Sequence, residues 1–248
     1  MGPVPAEGKP PRRDEAARTA CGELGTQRYR GQGRPGRLRT CGRDSGDGYH
    51  LLGHALNPDV DPDDARENGP PTRVPSMNDR RIISVAARYL HGLALSAEGE
   101  VFSWGKGQAG ALGHADRGAR AEPSRIESLS RIESIATGAF RSAAVNEVGR
   151  LFTWRAARFI DSITGDYRGP SGLGYEMDHS IDCQLTPRRV DALAQDRVVG
   201  VALGDRFTLA TTDAGGAVFS FGYSEVGTLG NGSLAQSEVL PRRIEALA

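Results

Sequence analysis

The sequence predicts an all-β fold, a partial β-propeller of about four blades built from four-stranded antiparallel repeats, with a disordered N-terminal tail. Three observations predict it. Glycine is abundant, 33 of 248 residues beside 14 prolines, a turn-rich balance that suits strands better than a helical bundle. A unit of about fifty residues recurs along the chain. Within each unit, short apolar runs of period two are separated by turn residues, and long helical patterns are absent.

Residues 1–35 are expected to be a disordered basic segment. Residues 1–43 carry ten basic and four acidic side chains, whereas 44–79 carry two and eight. Net charge over the whole chain is zero. Lysine occurs only as Lys9 and Lys106. Residues 23–35, ELGTQRYRGQGRP, carry no alternation although repeat-like sequence flanks them, the pattern a reading-frame error leaves. The proline-rich start, Met1 to Pro11, has no apolar segment of a secretory signal, and no run approaches about eighteen apolar residues. Cys21, Cys41 and Cys183 form no CxxC pair, which argues against a disulfide framework and for a reducing, cytoplasmic location, with the nucleus as the alternative.

Residues 36–248 divide into units at about 36–79, 80–130, 131–195 and 196–248. Leu95, Gly99, Phe102 and Trp104 recur fifty residues on as Val145, Gly149, Phe152 and Trp154. Gly105, Gly110, Leu112 and Gly113 recur as Gly222, Gly227, Leu229 and Gly230. Each unit closes on a proline with an apolar residue three places later: Pro71/Val74, Pro123/Ile126, Pro187/Val190 and Pro241/Ile244. The first unit is degraded. Its Leu38, Cys41 and Gly42 align with Val101, Trp104 and Gly105, and its Leu52-Gly53 with Leu112-Gly113. Each complete unit yields four strands: an entry run such as Ile132 to Ala136, a hairpin turning at Glu98-Gly99, and a strand at Arg125-Ile126-Glu127 after the proline. Gly99 and Gly149 supply the positive φ of a tight hairpin. Trp104, Trp154 and Phe221 share one position and pack between blades.

These residues resemble the regulator of chromosome condensation repeat family. The resemblance rests on VFSWGKGQAGALGH (Val101 to His114), GAFRSAAV (Gly138 to Val145) and FGYSEVGTLGNG (Phe221 to Gly232), and covers about residues 36 to 248. The repeat histidine survives as His91, with Arg141 and Phe207 in its place later, and Arg88 replaces the turn glycine. The resemblance implies a closed seven-bladed ring. A chain of about four units is therefore expected to be a fragment or an incomplete gene model, or to close with a partner or second copy.

Other motifs point elsewhere less well. Gly105 to Gly110 and Gly31 to Gly36 each spell GxGxxG, but a dinucleotide site needs a following helix, and Ala111 to Pro123 reads as a loop. His50/His54 and His179/Cys183 have i, i+4 spacing inside Gly/Asp-rich loops, and Asp59, Asp61, Asp63 and Asp64 lie between prolines that break a calcium-loop register. No GxSxG and no nucleophile beside a recognisable base appear. The expectation is no catalytic residue, no cofactor, no metal and no small-molecule substrate.

The segment after Trp154, RAARFIDSITGDYRGPS, exceeds its counterpart after Trp104 by about eleven residues, and insertions in repeat proteins often build the binding face. Arg155, Arg158, Phe159, Tyr167 and Arg168 are therefore the candidate protein-contact residues. The expected function is a non-enzymatic protein-interaction scaffold. The resemblance offers two alternatives, nucleotide exchange on a small GTPase and a piece of a larger regulatory protein such as a ubiquitin ligase. Light sensing, as in the plant ultraviolet-B propeller, needs clustered tryptophans, and only Trp104 and Trp154 exist. Direct contact with nucleic acid is expected of the basic tail alone.

Overall fold

The computed structural model describes residues 39–43, 49–52, 72–107, 110–156, 172–177, 183–224, 227–232 and 237–247. The 1–35 segment, and Arg158, Phe159, Tyr167 and Arg168 of the insertion, lie outside them.

Among the described residues the chain is a succession of antiparallel sheets, each made of strands consecutive in sequence. Strands β1 (Arg39–Arg43), β2 (Tyr49–Leu52) and β3 (Thr72–Arg73) form a three-stranded sheet. Three four-stranded sheets follow. The second blade is β4 (Ile82–Arg88), β5 (His91–Ser96), β6 (Val101–Gly105) and β7 (Arg120–Arg125). The third is β8 (Ile132–Thr137), β9 (Arg141–Asn146), β10 (Leu151–Ala156) and β11 (Cys183–Arg189). The fourth is β12 (Val198–Leu203), β13 (Phe207–Thr212), β14 (Val218–Tyr223) and β15 (Ser237–Arg243).

The first blade corrects the alignment read from sequence. His50 pairs with Arg73 as Phe102 pairs with Arg125. Tyr49-His50-Leu51-Leu52 thus hold the places of Val101-Phe102-Ser103-Trp104, and Leu52 lies on a strand, not in a loop. Backbone pairing sets this register, and the weak match of Leu38 and Cys41 to the repeat could not. The strand after each proline is also displaced: β7 is Arg120–Arg125, with Pro123 inside it.

That proline has a physical reason. Ser103 pairs with Ser124 and Gly105 with Arg120, so Ala121, Glu122 and Pro123 all oppose Trp104. The same bulge sets Leu185, Thr186 and Pro187 against Trp154, and Val239, Leu240 and Pro241 against Phe221. A residue without an N–H is tolerated where an outer strand leaves the ladder.

In the second and third blades both faces of the middle strands are largely buried, whereas β13 of the fourth keeps one face partly exposed. All six residues of β5 are buried, because Leu93 and Leu95 face the third blade while Ala94 faces back. Each junction then collects the same side chains. Trp104 packs with Val74, Met77 and Ile82, and Trp154 with Leu93, Leu95, Ile126 and Leu129. Phe221 packs with Ala143, Val145, Leu173 and Val190. The apolar pair Val74/Met77, Ile126/Leu129 or Val190/Leu193 sits in the short turn after each outer strand and delivers two side chains to the junction.

Hairpin glycines join one blade to the next. Gly99 has φ +77°, and a Cβ there would lie 2.7 Å from Arg131 Cα, while its carbonyl accepts the Ile132 N–H at 3.0 Å. Gly149 has φ +77° with Arg197 Cα 2.9 Å from its virtual Cβ, and bonds Val198 in the same way. Gly215, in the fourth blade, has φ +68° and nothing within 4 Å of that position. Gly99→Ala is therefore expected to cost about 2 kcal/mol or more, combining strain with a backbone clash, and Gly215→Ala about 1 kcal/mol from strain alone. Urea unfolding of the two variants checks the difference.

Candidate interaction face

Strand direction sorts the loops onto two ends of the blades. One end carries the first-to-second-strand turns (88–91, 138–141, 204–206) and the loops after β6, β10 and β14. The other carries the hairpins at 96–101, 146–151 and 212–218 and the outer-strand turns.

The first end is built around the position of the repeat histidine. His91 is 1% exposed, and its Nε2 lies 3.0 Å from Ser142 Oγ of the next blade. Burial lowers its pKa to about 4, partly offset by a hydrogen bond with the Arg141 backbone. Arg141, the equivalent residue one blade on, donates to the Gly172 carbonyl at 3.0 Å, to the Gly204 carbonyl at 3.0 Å, and to that of Phe207. Burial, then the neighbouring Arg155, hold its pKa well below the usual value. Phe207 occupies the position in the fourth blade.

Ser142 donates to the Ala111 carbonyl at 2.8 Å, and Trp154 Nε1 donates to the same oxygen at 2.8 Å. Thr208, its counterpart, donates to Gly172 at 2.7 Å. Ser103 and Thr153 donate to Leu112 and Leu173 at 2.8 and 2.6 Å within their own blades. Ser103 also lies 2.9 Å from His114 Nε2. Serine–histidine contacts thus exist where none was expected from sequence, since their partners lie on separate strands or across a loop. Ser142, Ser103 and His91 are buried and both serine hydroxyls are donated to loop carbonyls, so these contacts hold loops to strands.

Around them the turns meet one another. Arg88 of the second blade reaches Asp205 of the fourth, with Nη2 to Oδ1 at 2.7 Å. Tyr89 and Phe140 stack edge to face at 4.9 Å between centroids, and the Arg206 guanidinium lies 5.3 Å from the Tyr223 ring centre. Arg88, which replaces a turn glycine, thus makes a link that glycine cannot.

Of the candidate contact residues only Arg155 can be located. It pairs with Arg141 across β9 and β10 and is 4% exposed, so it lies within the sheet rather than on a protruding loop. Its neighbours at the same position, Gly105 and Gly222, have φ +100° and +121° and press on the preceding turn. The predicted structural positions Gly99, Trp104, Gly105, Gly113, Gly149, Trp154, Gly222 and Gly230 all have positive φ or full burial. Gly110 to Gly113, after the GxGxxG match, forms a turn and no helix. His54, His179 and the Asp59–Asp64 cluster lie outside the described residues; among those described, no three His, Cys, Asp or Glu side chains form a metal set. No helix of the described residues is long and apolar enough to cross a membrane.

His91 gives this end a pH signature. In the unfolded chain it titrates near 6.5, in the fold near 4, so between those values the unfolded state holds more protons. Stability is expected to fall as pH drops through that window, by on the order of 3 kcal/mol once both states are protonated. Urea unfolding near neutrality and at about pH 4.5 should show the loss in the parent chain and a smaller loss in His91→Gln.

Comparison with known proteins agrees with this architecture. The family model described as regulator of chromosome condensation (RCC1) repeat matches residues 98–145, from the β5–β6 turn of one blade into β9 of the next. The Ultraviolet-B receptor UVR8 of Arabidopsis thaliana is 34% identical over 180 residues, 72% of this chain and 37% of the receptor. The human E3 ubiquitin-protein ligase HERC2 is 39% identical over 161 residues, 63% of this chain and 3% of the ligase. The chain therefore spans well under half of these curated relatives. The crystal structure of human WBSCR16 shares the fold, with a TM-score of 0.62 at 20% identity over 87% of this chain and 55% of that one. Motif, sheet order and relatives agree that this chain is built from regulator of chromosome condensation repeats.

Proposed function

We propose that the chain is a non-enzymatic scaffold that binds protein partners through the loops at the ends of its blades. One observation carries the reading: among the described residues, the groups that resemble catalytic ones are spent on contacts that join blade to blade or hold a loop to its own blade. His91, Ser142, Ser103 and Arg141 are all buried, and their hydrogen bonds run to neighbouring strands and loop carbonyls. What remains for a partner is a row of loops of variable length on a stiff frame, the usual arrangement for recognition. HERC2, a ubiquitin ligase matched over a small part of its length, is consistent with such repeats serving as one module of a longer protein. Light sensing is disfavoured because Trp104 and Trp154 lie in separate junctions, each the one tryptophan of its cluster.

Nucleotide exchange on a small GTPase is the second reading, with the 155–171 insertion as the candidate contact segment, of which 157–171 lie outside the described residues. A GTPase carrying a fluorescent guanine nucleotide should release it at its intrinsic rate when this chain is added. Acceleration, with tighter binding to nucleotide-free GTPase than to the loaded form, would replace the scaffold reading by exchange. Deleting residues 157–171, which leaves β10 intact, should weaken partner binding at least about tenfold if the insertion is a contact loop.

A further inference from the structure

Both ends of the blades carry closely matched charges. At the end carrying the hairpins, carboxylates and guanidinium groups pair closely. Glu100 meets Arg80 and Arg125, Glu147 meets Arg131 at 2.8 Å, Asp191 meets Arg189 at 2.5 Å, and Asp213 meets Arg197 at 3.5 Å. Arg81 and Arg243, exposed at that same end, have no ion-pair partner among the described residues, and neither do Lys106 and Arg117 at the opposite end.

Lys106 and Arg117 are neighbours. The Lys106 N–H donates to the Leu90 carbonyl at 2.8 Å, which sets it against the turn bearing Arg88 and Tyr89. A Cβ on Gly107 would lie 2.0 Å from the Gly118 carbonyl oxygen, so the strand-leaving segment at Lys106 and the returning segment at Arg117 touch. Arg117 is exposed, Lys106 is half-buried, and Tyr89, with φ +60°, keeps 43% of its surface exposed beside Phe140. The result is an aromatic side chain at the rim of a cationic lip.

We propose that this lip docks a carboxylate-bearing segment of a protein partner, with Lys106 and Arg117 meeting its acidic side chains and Tyr89 its apolar ones. The proposal deepens the scaffold reading and rests on it. A protein segment fits better than nucleic acid because the lip is not uniformly positive. Asp116 is bonded to Arg120 at 2.9 Å and Asp205 to Arg88 at 2.7 Å, and both carboxylates stay within the patch. A phosphodiester strand presents an unbroken row of charge and favours unbroken basic tracts. A peptide with acidic residues spaced between neutral ones can match an interrupted lip, and Tyr with Arg is the pairing enriched where binding energy concentrates.

Lysine scarcity supplies the test. Lys106 is the one lysine outside the N-terminal segment, so a carbodiimide that joins amines to carboxylates reports on it almost alone. The full chain is mixed with a short fluorescent peptide alternating Glu and Ser around a central Leu, and binding is read by anisotropy and by mapping the cross-link. The expected result is a peptide adduct at Lys106 and affinity reduced about tenfold in Lys106→Glu/Arg117→Glu, with Arg131→Glu at the other end unchanged. Absent binding, equal loss in Arg131→Glu, or tighter binding of an oligonucleotide of the same charge overturns the proposal. So does a cross-link from Lys106 to Asp59–Asp64 of the same chain, which would make that acidic stretch the occupant. An identified protein partner that binds the double variant as tightly as the parent overturns the lip alone and leaves the scaffold reading standing.

Discussion

Among the described residues, each junction between blades is closed by side chains from two consecutive sheets. Two backbone carbonyls organise the closure. Ala111 and Gly172 lie in the loops that follow the third strand of one blade, and each accepts a hydroxyl proton from the next blade's second strand. At the first of these junctions Trp154 adds its indole N–H to the same oxygen while its rings fill the apolar gap. A buried carbonyl without a partner is costly, so these bonds specify the angle between blades as well as attraction between them. Hairpin glycines repeat the logic at the other end, where only a residue without Cβ lets the next entry strand approach.

Much of this was legible in the sequence, and for identifiable reasons. Trp104, Trp154 and Phe221 announced the junctions because a large aromatic recurring in register has one economical place in a stack of sheets. Gly99 and Gly149 announced the hairpins because positive φ leaves little choice of residue. Pro123, Pro187 and Pro241 were visible as unit ends, but their bulges were not, since setting one residue against three leaves no mark in hydrophobic alternation. The first blade was misaligned because Tyr49 to Leu52 lacks the tryptophan that marks the other copies.

The site was harder to read. Arg155 looked like part of an inserted loop because it follows the tryptophan directly, yet it completes β10 opposite Arg141. The link between Arg88 and Asp205 joins residues 117 positions apart, and no periodicity in the chain foretells it. The histidine position shows how freely one slot can be filled. His91 holds a serine, Arg141 holds one loop carbonyl of its own blade and two carbonyls of the next, and Phe207 lies against Gly204. The repeat constrains the geometry of the slot more than its chemistry, and the family match over residues 98–145 straddles a junction for the same reason.

The proline bulges on the outer strands have a consequence for how such a molecule can associate. A bare outer strand invites another chain to add to its ladder, the usual start of edge-to-edge aggregation. Here β7, β11 and β15 each break stride beside a ring that cannot donate, so the rim offers interrupted tracks instead of a template. Lateral recruitment of strands is thereby discouraged along these three outer strands, and sheets accumulate by stacking face upon face.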